Sequence, residues 1–427
     1  YTNWQKPAPT YVLLVGDTHY DYKRATIERY REEFGAPYDL YPNFVPTFHG
    51  WSPESGETAM DQRFVNISGD DSIPDMFIGR LAVQRAHELS TVVEKIINYE
   101  KNPKIGAWQA RIMQVADNEI DNPGQDDIFE LSRENVIDNF IPLGYDTRKI
   151  YLRKIVSPRK TNQLIKENFD QGVLIAEYSG HGGTHQWADE SIFRLQDAQL
   201  MFNEYLPFII TTTCLNGQFD KPLQYGELGL SEAFINSRHG AIASLAASRL
   251  TYGYGNALFD EDLFTAMFTV NPSVVGAIVG HAKTRFISEA AFHYIPGAEQ
   301  YILFGDPATK LAIPDLHINV ELESIALDPN QEIVIKNSVV GTNSLNQATG
   351  KFDFQSVVNF STESMSAVAT FPSADDVNLT RKREQIRVWQ GEFGAIQIPV
   401  PRGVQPGLGS VRVFATDKKR TAIGGAR

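Results

Sequence analysis

Val173-Leu-Ile-Ala-Glu-Tyr178 running into Ser179-Gly180-His181-Gly182-Gly183, and Phe208-Ile-Ile-Thr-Thr-Thr213 running into Cys214-Leu215-Asn216-Gly217, decide the fold. Each is a short, largely apolar run without alternation, the pattern of a strand buried on both faces. Each then stops at small and polar residues. Tyr11–Val15 before Gly16-Asp17, Arg111–Ala116 before Asp117-Asn118, and Ala241–Ala247 before Ser248 repeat the pattern. Helical periodicity lies between them. Leu89, Val92, Val93, Ile96 and Ile97 share one face, with Glu94, Lys95 and Asn98 opposite, and Ile128–Phe140 and Leu228–Asn236 behave alike. Strands alternating with helices predict an α/β fold, a mostly parallel sheet with helices on both faces. In such sheets reactive groups gather where the C-terminal ends of strands open into loops.

Beyond Pro314 the pattern changes. Ile318–Val320, Glu332–Ile335, Val357–Phe360, Ala367–Phe371, Gln385–Trp389, Ala395–Val400 and Ser410–Ala415 are strand-like runs punctuated by Gly, Pro and Asn, with no helix between them. Such a series predicts an all-β, immunoglobulin-like sandwich. Ile396, Ile398 and Val400 alternate as a half-buried strand should.

The 427 residues are 42% hydrophobic and 21% charged, an ordinary globular balance that excludes wholesale disorder. A formal net charge of −13 lacks the basic footprint that phosphate binding needs, so no nucleic-acid partner is expected. The acidity suits solubility first, and otherwise attraction of cationic peptides or Ca²⁺. No uninterrupted apolar stretch approaches the roughly 20 residues that span a bilayer. The sequence opens at Tyr1 with neither an initiator Met nor a basic-then-apolar leader, from which a processed or trimmed product is expected.

Cys214 is the one cysteine, so no disulfide can staple the fold. It is either a buried small hydrophobe or a reactive nucleophile. His181 taken alone is as readily a structural loop histidine. At neighbouring strand ends, flanked by small residues that admit a peptide backbone, the two fit a nucleophile and its acid–base partner. A thiol needs such a base to ionise near neutral pH, and the same imidazole can then protonate a leaving amine. The N–H groups of Gly182 and Cys214 become the candidate oxyanion donors.

In this context the pair resembles the gingipain-type cysteine peptidases, relatives of the caspases and legumains, in which a strand ending in His-Gly precedes a strand ending in Cys. Tyr11-Val-Leu-Leu-Val-Gly-Asp17 resembles that family's central strand, and Pro74-Asp-Met-Phe-Ile-Gly-Arg80 with Leu89–Glu100 its strand-plus-helix. Tyr178–Gly183 and Cys214-Leu-Asn-Gly-Gln-Phe219 resemble its active-site segments, and Leu303-Phe-Gly-Asp-Pro307 the block that closes its catalytic region. The resemblance implies a caspase-like fold, with an incomplete N-terminal α/β subdomain over 1–105, a catalytic subdomain over 106–314 and the immunoglobulin-like sandwich over 315–427. It implies a cysteine endopeptidase acting through a thioester acyl-enzyme. Asp117 would orient His181, Asp127 would form the base of a pocket for Arg or Lys, and Tyr254 would be an aromatic wall of that pocket.

The chemistry as implied needs no cofactor, whereas a structural Ca²⁺ is implied without assignable ligands. The implied partners are a peptide or protein substrate and an associated N-terminal fragment or propeptide, since the family has further sequence before the Tyr11 strand. The implied location is secreted or cell-surface, in a bacterium. The chain ends at Arg427, as cleavage after Arg would leave it and as a chosen boundary would equally.

Two rival functions share these residues. One is a related acyl transferase or sortase, in which an amine takes the acyl group. The other is an inert adhesion or binding protein whose sandwich does the work. Other motifs fail: His181 and His185 have zinc-ligand spacing but are separated by Gly182-Gly183, which breaks a helix. Gly229-Leu-Ser-Glu-Ala233 misses the last position of a serine-hydrolase elbow, and Asp117–Asp127 lacks the glycine and terminal glutamate of an EF-hand at their places in the loop.

Overall fold

The apolar runs become strands where the sequence places them. The computed structural model describes residues 4–23, 43–119, 128–220, 228–270, 272–289, 294–322, 332–346, 351–357, 364–372, 384–391, 396–400, 409–417 and 419–427. Its first thirteen strands are β1 (Tyr11–Val15), β2 (His49–Ser52), β3 (Gly56–Ala59), β4 (Phe77–Leu81), β5 (Arg111–Ala116), β6 (Asp146–Tyr151), β7 (Ile175–Ser179), β8 (Gly182–Gly183), β9 (Gln186–Trp187), β10 (Phe193–Arg194), β11 (Phe208–Thr212), β12 (Ala243–Ala247) and β13 (Tyr301–Phe304). Eight of them form one sheet in the order β1-β4-β13-β12-β11-β7-β5-β6. β1 with β4, β4 with β13, and β7 with β11 and β12 run parallel, while β12 and β13 are antiparallel. Every residue of β7, β11 and β12 is buried, as unalternated apolar runs require.

The expected helices form at Ala86–Lys101, Ile128–Asn139 and Leu230–Asn236. The first is started by Glu88, whose Oε2 accepts from the Gln84 and Arg85 N–H groups at 2.8 and 3.0 Å. The helix Pro158–Gln171, capped by Ser157, buries Thr161, Ile165 and Phe169 at four-residue spacing. Gly253–Thr265 packs against β11.

β1 departs from expectation. It lies at the edge of the sheet, not its centre, and Tyr11, Leu13 and Val15 are 40%, 37% and 38% exposed. An apolar run alone does not distinguish a strand covered on two faces from an edge strand with one face open. β6 was not foreseen because its Asp-Thr-Arg-Lys start is polar, which an edge strand tolerates.

Residues cluster into two units, Tyr1–Pro103 with Met113–Phe140 and Arg148–Leu311, and Lys104–Ile112 with Ile141–Thr147 and Ala312–Arg427. Strands from both sides of position 105 share the large sheet. The second unit contains β14 (Leu316–Leu322), β15 (Glu332–Asn346), β16 (Lys351–Val357), β17 (Ser364–Pro372), β18 (Glu384–Gly391), β19 (Ile396–Pro399), β20 (Ser410–Thr416) and β21 (Thr421–Ala426). Its core joins Leu316 and Ile318 of β14, Met365, Ala367 and Ala369 of β17, Ile396 and Ile398 of β19, and Val411, Val413 and Ala415 of β20. β19 and β20 alternate buried with less buried residues, the period of a half-covered strand. β21 escaped the sequence reading because Gly424-Gly425 weakens any strand pattern. Gly424 is needed there, since a Cβ would strike the Ile318 carbonyl of neighbouring β14.

Candidate active site

β7 and β11 are parallel neighbours whose register ends with Thr212 opposite Ser179. His181 and Cys214 each follow that last rung by two residues, and neighbouring strands are spaced about 4.8 Å apart. Two residues distant in sequence are thereby delivered side by side. His181 is exposed and Cys214 partly exposed, so neither is sealed in the core.

The main chain of the histidine loop is held from several sides. The His181 N–H donates to Asp117 Oδ2 at 2.9 Å, and the His181 carbonyl accepts from the Ala188 N–H at 2.9 Å and from the Tyr178 hydroxyl. Tyr178 is stacked on buried Trp187, with ring centroids 4.8 Å apart and planes 6° from parallel. The imidazole meets the Phe129 ring edge-on at 5.4 Å. Asp117, expected to orient His181, makes its hydrogen bond to the histidine's main chain. It also accepts from the Asn118 N–H at 2.8 Å and the Tyr178 hydroxyl at 3.3 Å. Burial pushes its carboxyl up to about 6, against the opposing pull of the His181 and Asn118 N–H groups.

The cysteine loop is tight. Leu215 has φ +64°, a left-handed conformation that a branched side chain rarely adopts, and the Asn216 N–H turns back to the Cys214 carbonyl at 2.8 Å. The loops are tied together by Thr213 Oγ1 donating to the Gly180 carbonyl at 2.6 Å and Asn216 Nδ2 donating to the Gly183 carbonyl at 2.6 Å. Gly182 is pressed into this junction. A Cβ on it would strike Thr213 Oγ1 and lie 2.8 Å from the Cys214 carbonyl oxygen.

Among the described residues neither candidate oxyanion donor has a main-chain acceptor. Gly182 pairs with Trp187 on β9, and because the Ala188 N–H donates to the His181 carbonyl, this is a non-hydrogen-bonded pair. The β8–β9 ladder thus does not engage the Gly182 N–H. Among the described residues no carbonyl accepts from the Cys214 N–H either.

Sequence reasoning missed the support behind the sulfur. The Thr251 N–H donates to Cys214 Sγ at 3.4 Å, and the thiol in turn is placed to donate to the Thr251 carbonyl at 3.6 Å. Asn256 Nδ2 holds Thr251 Oγ1 at 2.9 Å, and the Tyr301 hydroxyl donates to Asn256 Oδ1 at 2.8 Å. The strand-end rule that found Cys214 points here too, since Thr251 follows β12. Deeper, fully buried Arg133 is gripped by Glu177 of β7 and Asp260 of the Gly253–Thr265 helix, and Thr212 Oγ1 donates to Asp260 Oδ2 at 3.0 Å. This cluster ties β7 and β11 to the helix that presents Asn256.

Tyr254 is at the start of that helix, 58% exposed, with its ring 6.0 Å from Tyr294. Asp127 lies outside the described residues. Among the described residues no three His, Cys, Asp or Glu side chains are grouped to hold a metal ion. No helix among them is long and apolar enough to cross a membrane.

The sequence model of Peptidase family C25 matches residues 1–312. Gingipain R2 of Porphyromonas gingivalis is 29% identical over 254 residues, which are 58% of this chain and 34% of that protein. Lys-gingipain of the same species is 22% identical over 286 residues, 65% of this chain and 16% of that protein. The chain thus spans about a third, or less, of the length of these relatives. The crystal structure of the Arg-specific cysteine proteinase gingipain R matches at TM-score 0.55 and 18% identity, covering 97% of this chain and 83% of that one, a likeness of fold. The α/β fold with its mostly parallel sheet is therefore that of the gingipains, and the chain belongs to Peptidase family C25, the cysteine-peptidase family of which the gingipains are members.

Proposed function

We propose that the chain hydrolyses peptide bonds through Cys214 and His181, cleaving after Arg or Lys. The observation that carries the reading is the β7–β11 register, which sets Cys214 and His181 on the loops that follow two adjacent parallel strands. The thiolate attacks the scissile carbonyl, and the Gly182 and Cys214 N–H groups hold the oxyanion as it forms. The His181 imidazolium gives its proton to the leaving amine as the C–N bond breaks. The thioester is then attacked by water, whose proton passes to His181, and the carboxylic acid departs as the C–S bond breaks. Asp117 acts on this sequence by holding the histidine's main chain.

Selection of a basic residue by Asp127, with Tyr254 as a pocket wall, rests on the likeness to the gingipains. So do secretion or surface display, an immunoglobulin-like second unit, a structural Ca²⁺, and association with a propeptide such as the one in the solved complex of gingipain pro- and mature domains. Peptides differing only at the cleaved residue, assayed with and without an added amine, test the reading. Cleavage after Arg or Lys that is lost in Cys214→Ala supports it. Undiminished cleavage by Cys214→Ala refutes it, and amide-linked product as the main outcome would make the protein an acyl transferase.

A further inference from the structure

Behind the cysteine and histidine loops, two acids share one guanidinium. Arg133 of the Ile128–Asn139 helix, Glu177 of β7 and Asp260 of the Gly253–Thr265 helix are each 0% exposed, and Arg133 is paired with both acids. An arginine keeps its proton at any ordinary pH. With both acids ionised the cluster would hold one negative charge too many, away from water. Its other neighbours are neutral. Gln114 Oε1 and Ser132 Oγ accept from the guanidinium at 3.3 and 2.9 Å, and Thr212 Oγ1 donates to Asp260 Oδ2 at 3.0 Å. Tyr301 of β13 interacts with Asp260, and Tyr151 of β6 with Arg133, but burial pushes both phenols up and keeps them protonated. Glu261 and Asp262, next along the helix, turn to Asn135 and Arg285 instead.

Two acid oxygens are then left without a donor. Glu177 Oε2 and Asp260 Oδ1 are buried, and among the described residues no N–H or O–H reaches either. The two side chains are within hydrogen-bonding reach of each other. One proton, carried by either acid and donated to the other, supplies the missing donor and brings the cluster to neutrality. Burial pushes the Asp260 carboxyl well above its usual range, with Arg133 pulling it down and Glu177 pushing it further up. The cluster reaches the sulfur by two short routes. Thr212 is two residues before Cys214. Asp260 is one helical turn beyond Asn256, which donates to the Thr212 carbonyl at 3.3 Å and to Thr251 Oγ1 at 2.9 Å, beside the Thr251 N–H that meets Sγ.

We infer that Glu177 and Asp260 are positioning residues for Cys214 that hold one proton in common, and that release of this proton loosens the cysteine loop. Once it is gone two like charges face each other, and Asp260 draws away, taking Asn256 with it. The effect on catalysis rests on the reading of Cys214 as nucleophile, whereas the shared proton does not. In the unfolded chain both acids are ionised by about pH 5, while the folded pair retains its proton. The folded value lies above the unfolded one, so the stability the pair contributes is fully present below about pH 4 and is lost as pH rises through the folded value.

Urea unfolding of the full chain and of Asp260→Asn, in parallel across pH, counts the proton. Asn can donate to Glu177 as the protonated acid does, but it does not titrate. From about pH 5 to pH 7 the unfolding constant of the parent should rise relative to the variant's by about tenfold per pH unit, the slope of a single proton. Glu177→Gln should give the same slope and takes over where Asp260→Asn fails to fold. A ratio constant with pH overturns the shared proton. Cys214, the one cysteine, reports the positioning through its rate of alkylation by iodoacetamide. In the parent that rate should show a transition at the pH where the stability ratio levels off, and both variants should lack it. Alkylation profiles that superimpose overturn the positioning role. Both expected results in a chain that cleaves no peptide support the inference and refute the peptidase reading alone.

Discussion

Asp117→Asn should separate stability from activity. The carboxyl is 1% exposed, and burial raises it from 3.8 to about 6, so solvent screening takes little from the linkage. Because its folded value lies above its unfolded one, unfolding releases a proton between those values. The stability it contributes is fully present below about pH 4 and is lost as pH rises through about 6. The whole linkage is about 3 kcal/mol, and roughly half of it, about 1.4 kcal/mol, accrues between about pH 5 and pH 8. Asn does not titrate, whereas the fixed cost of one misplaced amide hydrogen is the same at every pH. The stability of Asp117→Asn relative to the parent should therefore improve by about 1.4 kcal/mol from pH 5 to pH 8. Urea unfolding followed by tryptophan emission at several pH values measures that difference. Over the same range kcat/KM of the variant should fall below the parent, because the carboxylate that holds the His181 N–H is gone. A stability difference constant with pH, or one that shifts in the parent's favour as pH rises, would refute the reasoning.

Three other substitutions probe the site and its frame. Gly182→Ala, whose Cβ would meet Thr213 Oγ1 and the Cys214 carbonyl, should lower kcat about a hundredfold by displacing an oxyanion donor, while far-UV circular dichroism stays unchanged. Asn256→Ala removes hydrogen bonds to Thr212, Thr251 and Tyr301 and should cost about 2 kcal/mol in urea unfolding and about tenfold in kcat/KM, through a loosened Thr251. Arg80→Ala strips fully buried Asp61 of a two-point partner at 2.6 and 2.9 Å and should destabilise by about 3–5 kcal/mol, a loss that Lys cannot restore because it lacks the planar fork.

What the sequence revealed followed from local periodicity. β5 and β11 begin where their apolar runs begin, and the helices at Ile128 and Leu230 form within two residues of the expected positions. Cys214 and His181 were legible because each ends an apolar run in small residues. What stayed hidden depends on partners far along the chain. That β1 is an edge strand is decided by which strands lie beside it, not by Tyr11–Val15. That Asp117 grips the main chain of His181 is a matter of orientation across adjacent strands, to which residue order is blind. The support from Thr251 and Asn256 is hidden for the same reason, since its key contact is a backbone N–H that any residue type would supply.

Mass spectrometry of the chain quenched during turnover of a slowly deacylating Arg ester tests the central claim most directly. The adduct should equal the acyl group, map to Cys214, vanish in Cys214→Ala and form far more slowly in His181→Ala. Ester turnover with Cys214 unmodified, or an acyl group carried on another residue, would contradict it.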